Sequence, residues 1–215
     1  MQELRAKNAR NDLADLLLRS GPNAPTLCEG WQTAELAAHL WLREARPGVS
    51  LLAAVPGLRD FSERRLAETA SEARSGSGYP KLVDQFRSGP PVFSPFAVPA
   101  VDRAANLLEY FIHYQDVARA VAEEPAVLAE DYREAVWRGF GRAAGALYFR
   151  GLPVGVVVRR EDGPRRRFGP ANKPSVVLTG ELEDLVLFCS GREQAAAVEI
   201  GGDPSAIDEF HAARG

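Results

Sequence analysis

Three histidines occur in the 215 residues, His39, His113 and His211, and two of them stand in the same local setting. Glu35-Leu-Ala-Ala-His39 and Glu109-Tyr-Phe-Ile-His113 each place a glutamate four residues before a histidine. On an α-helix, positions i and i+4 share a face, offset by about 40° at 3.6 residues per turn. Asp116, three residues past His113, falls roughly 20° to the other side of Glu109. Glu109, His113 and Asp116 thus make a polar stripe on a helix that otherwise carries Leu107, Leu108, Phe111, Ile112 and Val117. Turned into a core without partners, such a stripe is strongly destabilising. A cation relieves it by neutralising the carboxylate and occupying the imidazole lone pairs.

The chemistry expected of this pattern is one divalent ion, with zinc as the metal, held by His39 on one helix and by Glu109 and His113 on another. Zinc accepts imidazole nitrogen and carboxylate oxygen, and catalytic sites commonly use three protein ligands with one position open. Asp116 would orient His113, and Glu35 would orient His39. A single Glu–His pair at this spacing reads equally as a solvated or hydrogen-bonded helix face. Glu35, in a first helical turn, is also favoured by the helix dipole alone. Two such pairs among so few histidines set the metal reading beside that one. A dinuclear centre fits less well, because di-iron bundles use Glu and His at i, i+3 together with further glutamates.

The elements that must position these groups are helical through the first two-thirds. Leu4, Asn8, Leu13, Leu16 and Leu17 suit a first amphipathic helix, ended by Ser20-Gly21-Pro22. Thr33 is the expected N-cap of a second helix that runs to Pro47. A third spans from about Val49 or Leu58 to Ala73, with a break at Pro56-Gly57. SGSGYP reads as a linker, KLVDQFRSG as a short helix, and the proline-rich GPPVFSPFAVP as an extended loop. Asp102 is expected to cap the helix that carries Glu109 and His113 and ends before Pro125, and Asp131 to Tyr148 forms the last long helix.

After Gly151 the pattern becomes β-branched. PVGVVVRR, RRRFG, PSVVLTG and AAAVEIGG read as strands, with Asp162-Gly163 as a hairpin turn, a helix over Glu181 to Gly191 and a final helix from Asp203-Pro204. The expected division is a helical domain over 1–150 and a small α+β domain over 151–215.

Hydrophobic residues make up 46% and charged residues 26%, with a net charge of −3. This balance excludes a basic nucleic-acid wrapper. No apolar run is long enough to span a bilayer, so no membrane partner is expected. MQELRAKNARNDLADLLLR lacks the apolar stretch of a secretory signal, and the two cysteines, Cys28 and Cys189, form no framework; both point to a reducing, cytoplasmic setting. Cys28 reads as a small packed residue in the turn before the second helix, with nucleophile or ligand as the other role. Cys189 reads as core, Trp31, Trp41 and Trp137 as packing anchors, and His211 as exposed. Arg159, Arg160, Arg165, Arg166 and Arg167 cluster against Glu161 and Asp162. They read as a solvated hairpin or, functionally, as a cationic patch for a carboxylate-bearing substrate.

TLCEGWQTAELAAHL, and about 70 residues later NLLEYFIHYQDVARA, resemble the N-terminal domain of the mycothiol-dependent maleylpyruvate isomerase family within the wider DinB-like superfamily. Cys28, Gly30, Trp31, Glu35, His39, Glu109, His113 and Asp116 match the pattern position by position. VVLTGELEDLVLFCSGREQAAAVEIGGDP resembles the family's second, sterol-carrier-like domain. The departures lie in the loop from Ser88 to Pro99. The resemblance implies a DinB-like four-helix bundle holding a divalent metal on His39, Glu109 and His113, and it implies mycothiol as the low-molecular-weight thiol cofactor. The expected function is therefore that of a metal-dependent enzyme, an isomerase or S-transferase. Its open metal position would hold the thiol and lower its pKa, and the thiolate would attack a small, anionic electrophile. The alternative is a non-catalytic metal-binding or small-ligand module, its site closed by a fourth protein ligand such as Asp116.

Overall fold

The computed structural model describes residues 3–52, 57–94, 97, 99–124 and 126–214. The chain divides into two compact units, Met1–Tyr132 and Arg133–Gly215. In the first unit the helices are α1 (Ala9–Ser20), α2 (Thr33–Ala45), α3 (Pro47–Leu52), α4 (Arg59–Ala73), α5 (Gly78–Arg87) and α6 (Pro99–Ala120). Packing of α1 on α5 and α6, and of α2 on α4 and α5, gives the helical bundle. Its core is built from Leu13, Leu16 and Leu17 of α1, Leu36 and Leu40 of α2, Phe86 of α5 and Phe111 of α6, all at most 1% exposed. The i, i+3/i+4 spacing of these positions within each helix is what places them on one buried stripe.

Several boundaries differ from the sequence expectation, each for a local reason. Leu4 does not begin α1. It lies in strand β1 (Glu3–Leu4), which pairs in parallel with β2 (Val127–Leu128) and buries Leu4 to 2% exposure. Two short strands therefore precede Gly151, in a sheet of their own that is separate from the C-terminal one. Thr33 is not the N-cap but the first residue of α2. It is fully buried, its hydroxyl donates to the carbonyl of Gly21, and it accepts from Ala24 N–H at 3.2 Å, so it ties down the loop before the helix. Gln32 takes the N-cap position, and its backbone N–H is satisfied by the Glu35 carboxylate at 3.1 Å. The helix α6 begins at Pro99, ahead of Asp102, as suits a residue with no N–H to donate. Pro56 and Pro125, expected at breaks, lie outside the described residues.

Most of α7 (Glu130–Leu147) belongs to the second unit, so the change of sequence character near residue 150 marks the passage from helix to strand rather than the division between units. The strands β3 (Gly155–Arg160), β4 (Arg165–Phe168), β5 (Ser175–Gly180) and β6 (Glu199–Gly202) form a mixed sheet in the order β4-β3-β5-β6. β3 runs parallel to β5, while β4 and β6 are antiparallel to their neighbours. Helices α8 (Leu182–Cys189) and α9 (Pro204–Arg214) pack on it. Val156 and Val158 stand in register with Val176 and Leu178, all fully buried, because the period-2 alternation places them on the core face.

The same alternation breaks up the arginine cluster. Arg160 is 2% exposed, sits 5.6 Å from the Trp137 ring centroid, and is ion-paired to Glu134 at 2.8 Å and to Asp162. Arg166 lies over the Trp137 ring, in space left by Gly141, where a Cβ would meet its guanidinium at 2.6 Å. Arg167 bonds Ser175 and the carbonyls of Pro170, Ala171 and Lys173, holding the turn before β5. Arg160 and Arg166 are thus committed to the core face, while Arg159, Arg165 and Arg167 stay exposed on the other face, so the solvated-hairpin reading holds for three of the five and a continuous cationic patch describes none of the arrangement.

Candidate metal centre

His39 projects from α2, and Glu109, His113 and Asp116 project from α6. The structure brings His39, Glu109 and His113 together. Glu109 Oε1 lies 3.0 Å from His39 Nε2 and 3.2 Å from His113 Nε2. The three donor atoms all lie within 4.8 Å of one another. Neighbouring donors around a tetrahedral zinc with bonds of 2.0–2.2 Å stand about 3.3–3.6 Å apart, so an ion needs only a slight spreading of this set. Two neutral-capable imidazoles and one carboxylate are also the donor chemistry that zinc takes.

Asp116 is fully buried and does not belong to that set. Its Oδ2 lies 2.9 Å from the other nitrogen of His113, Nδ1, and 3.1 Å from the Cys28 thiol, which donates to it. A carboxylate only accepts, so His113 Nδ1 carries the proton and Nε2 faces Glu109 and His39. The backbone supports this arrangement: Leu27 N–H donates to the Asp116 carbonyl at 3.0 Å, which fastens the loop bearing Cys28 to α6. Cys28, His113 and Asp116 form a second group of possible ligands, built on the opposite edge of the same imidazole.

Glu35 is not brought to His39. Its carboxylate bonds Arg74 at 2.6 and 2.7 Å and the Gln32 N–H, so it closes the N-terminus of α2. Two groups that the sequence reading passed over do reach the centre. Arg43, one turn after His39, comes within 3.6 Å of Glu109 and bonds the buried Asn106. Trp31 places its ring 5.2 Å from that of His39. The i+4 spacing of Arg43 from His39 and the i−3 spacing of Asn106 from Glu109 were the signals available for the first pair. Trp31, read as a packing anchor, had its signal in the stretch that matches the family pattern.

The charges of these groups offset one another across the cluster. Burial disfavours the charged form of His113, but hydrogen bonds with Asp116, Cys28 and Glu109 outweigh it and lift its pKa well above the usual imidazole range. Burial likewise pushes the Glu109 carboxyl up, and the bonds from His113 and His39, with the charges of His113 and Arg43, hold it well below its usual range. His39 is lowered, chiefly by burial. Cys189, by contrast, is core, its thiol pushed up to about 12 by burial, and His211 is exposed.

The centre is open on one side. The His39 and Glu109 side chains each remain 26% exposed, against 8% for His113. A cavity of about 340 Å³ lies beside His39, walled by Trp31, Leu42, Val49 and Leu66 and by Arg59 and Glu63. Because Asp116 reaches the three donors through His113 Nδ1, Asp116→Ala is expected to weaken zinc binding by about 10–100-fold without abolishing it. Competition against a chromophoric chelator measures this, and an unchanged affinity would mean that His113 is held by its packing alone.

The sequence matches no protein-family model and no curated protein. Two solved structures are similar. One is the crystal structure of the mycothiol-dependent maleylpyruvate isomerase, 15% identical, with a TM-score of 0.61 over 91% of this chain and 90% of that one. The other is a histidine-to-alanine mutant of that enzyme, 16% identical, with a TM-score of 0.53 over the same shares. No described helix is long and apolar enough to cross a membrane. Helical bundle, mixed four-stranded sheet and their order along the chain together give this protein the fold of the mycothiol-dependent maleylpyruvate isomerase.

Proposed function

We propose that this protein is a metal-dependent enzyme that uses a low-molecular-weight thiol, mycothiol, as the nucleophile in isomerase or S-transferase chemistry. The observation that carries this reading is the convergence of His39, Glu109 and His113 at an open edge next to a cavity, with Asp116 committed elsewhere. A purely structural site would be closed by a fourth protein ligand. The fold shared with a mycothiol-dependent isomerase supports the choice of thiol.

In this reading His39, Glu109 and His113 hold a divalent ion, zinc by donor type. When bound there, the ion lowers the pKa of a thiol that reaches its open side from the free value of about 8.5. The protein does the rest. Asp116 accepts the Nδ1 proton of His113 and so aims the Nε2 lone pair. Cys28 donates to Asp116 and steadies it. Arg43, bonded to Asn106, keeps the Glu109 carboxylate ionised. Trp31 shields His39 from bulk water. A thiol held at this edge would supply the nucleophile for an electrophilic carbon of a small substrate, its proton going to solvent and the carbon's displaced electron pair going to a proton or to a leaving group.

Mycothiol is expected to bind the zinc-loaded protein with release of a proton at neutral pH, and to bind His39→Ala far more weakly. Calorimetry in two buffers of different ionisation enthalpy reads both quantities. Equal affinity for the metal-free and zinc-loaded forms would remove the thiolate mechanism. An intact, loaded site with no thiol affinity would favour a non-catalytic metal-binding role.

A further inference from the structure

The cavity beside His39 is not needed to hold the metal, and its lining describes a ligand. Trp31, Leu42, Val49 and Leu66 supply apolar surface. Among the described residues, the charged ones of the wall are Arg59 and Glu63, and they are paired with each other: Arg59 Nε donates to Glu63 Oε1 at 2.7 Å, one helical turn apart on α4. We infer that this cavity receives the electrophile, and that the electrophile is an uncharged molecule with an apolar, aryl-sized body rather than a carboxylate.

This inference rests on the thiol-dependent reading above and deepens it, and it replaces the anionic substrate expected from the sequence. Three considerations carry it. The first is size. A volume of about 340 Å³ sits at the small end of the roughly 300–1,000 Å³ of small-molecule pockets, enough for one substituted ring. The second is polarity. Mycothiol is a polyhydroxylated thiol, and each hydroxyl buried without a partner is unfavourable. Apart from Ser62 and the Arg59–Glu63 pair, the described wall offers its hydroxyls little, so the thiol reaches the centre from the exposed side of His39 and Glu109 and leaves the cavity to its partner. The third is charge. The described charges of the wall, Arg59 and Glu63, are 74% and 58% exposed and offset each other, so the apolar surface of Trp31, Leu42, Val49 and Leu66 gives an anion no buried counter-charge, whereas a neutral ring meets apolar walls and the Trp31 indole next to His39.

For an electrophile that bears a leaving group, such as the aryl chloride used below, the thiol gives its proton to solvent, the sulfur lone pair forms the new C–S bond, and the bond from that carbon to the leaving group breaks, with the electron pair departing on that group. No oxidant or reductant is required.

The test uses zinc-loaded protein. Binding is read first, by calorimetry without thiol, with nitrobenzene and with benzenesulfonate, a ring of similar size bearing an anionic group that is a poor metal ligand. Nitrobenzene is expected to bind about tenfold or more tightly than the sulfonate, and Leu66→Glu to lose most of that affinity. Sulfonate binding as tight as that of nitrobenzene, or nitrobenzene binding untouched by Leu66→Glu, overturns the inference. Turnover is read second, as mycothiol transfer to chlorodinitrobenzene and to its carboxylated analogue, each relative to the uncatalysed rate. The neutral compound is expected to be favoured, and Glu63→Gln, by freeing the exposed Arg59, to shift the preference about threefold toward the carboxylate. A preference for the carboxylate in the unaltered protein overturns the inference. Failure of the thiol reading looks different: nitrobenzene still binds with its preference intact, while mycothiol neither binds nor reacts.

Discussion

His113→Ala protein is expected to lose its metal and keep its fold. Structural zinc sites bind with about 10–16 kcal/mol, roughly 3 kcal/mol or more per ligand, so removing one of three ligands should weaken affinity upwards of a hundredfold. The fold should persist because the bundle has an apolar core of its own in Leu13, Leu16, Leu17, Leu36, Leu40 and Phe111. Metal content after dialysis and far-ultraviolet circular dichroism decide both halves. Unfolding of the metal-free or His113→Ala protein would make the ion structural. The unaltered site should also show a pH signature. The metal needs neutral imidazole, and the metal-free pKa of His113 is raised well above its usual range. Zinc therefore displaces a proton at neutral pH, and its affinity should climb as pH rises toward that elevated pKa and level off above it.

Arg160→Ala is expected to destabilise the second unit by about 3 kcal/mol, through the truncated volume of a 2% exposed side chain and the loss of its bonds to Glu134 and Asp162. The partners are 39% and 43% exposed, so little of this comes from the ion pairs themselves; most comes from packing on Trp137 and within the core. The melting temperature of that unit should fall by roughly 12–24 °C. Arg165→Ala, at an exposed position of the same hairpin, should stay within about 0.5 kcal/mol of the parent. If the two substitutions behaved alike, the burial of Arg160 would have no energetic consequence. Zinc binding should be unaffected in both variants, since neither residue belongs to the first unit.

The sequence by itself determined the parts that depend on local period. The i, i+4 pairs put Glu109 and His113 on one helical face, the switch to β-branched alternation located every strand of the C-terminal sheet, and Asp162-Gly163 marked its hairpin. Long-range arrangement was decided elsewhere. Glu35–His39 and Glu109–His113 are equivalent as local patterns, yet only the second glutamate reaches the centre. Arg74, distant in sequence, captures Glu35 at the helix N-terminus, where the backbone N–H of Gln32 also needs an acceptor. The five arginines read as one charged run because sequence order cannot weigh a strand's two faces against a helix packed on one of them. Trp137 and Gly141 of α7 determine that Arg160 is buried and Arg166 lies on a ring. Leu4 fits a helical stripe by spacing, but pairing with Val127 and Leu128 makes it a strand, since backbone hydrogen bonds across more than a hundred residues leave no local trace. The same holds for the cavity beside His39: its described walls come from a loop and from three helices, α2, α3 and α4, and only their packing places an exposed ion pair and an apolar surface next to the candidate metal centre.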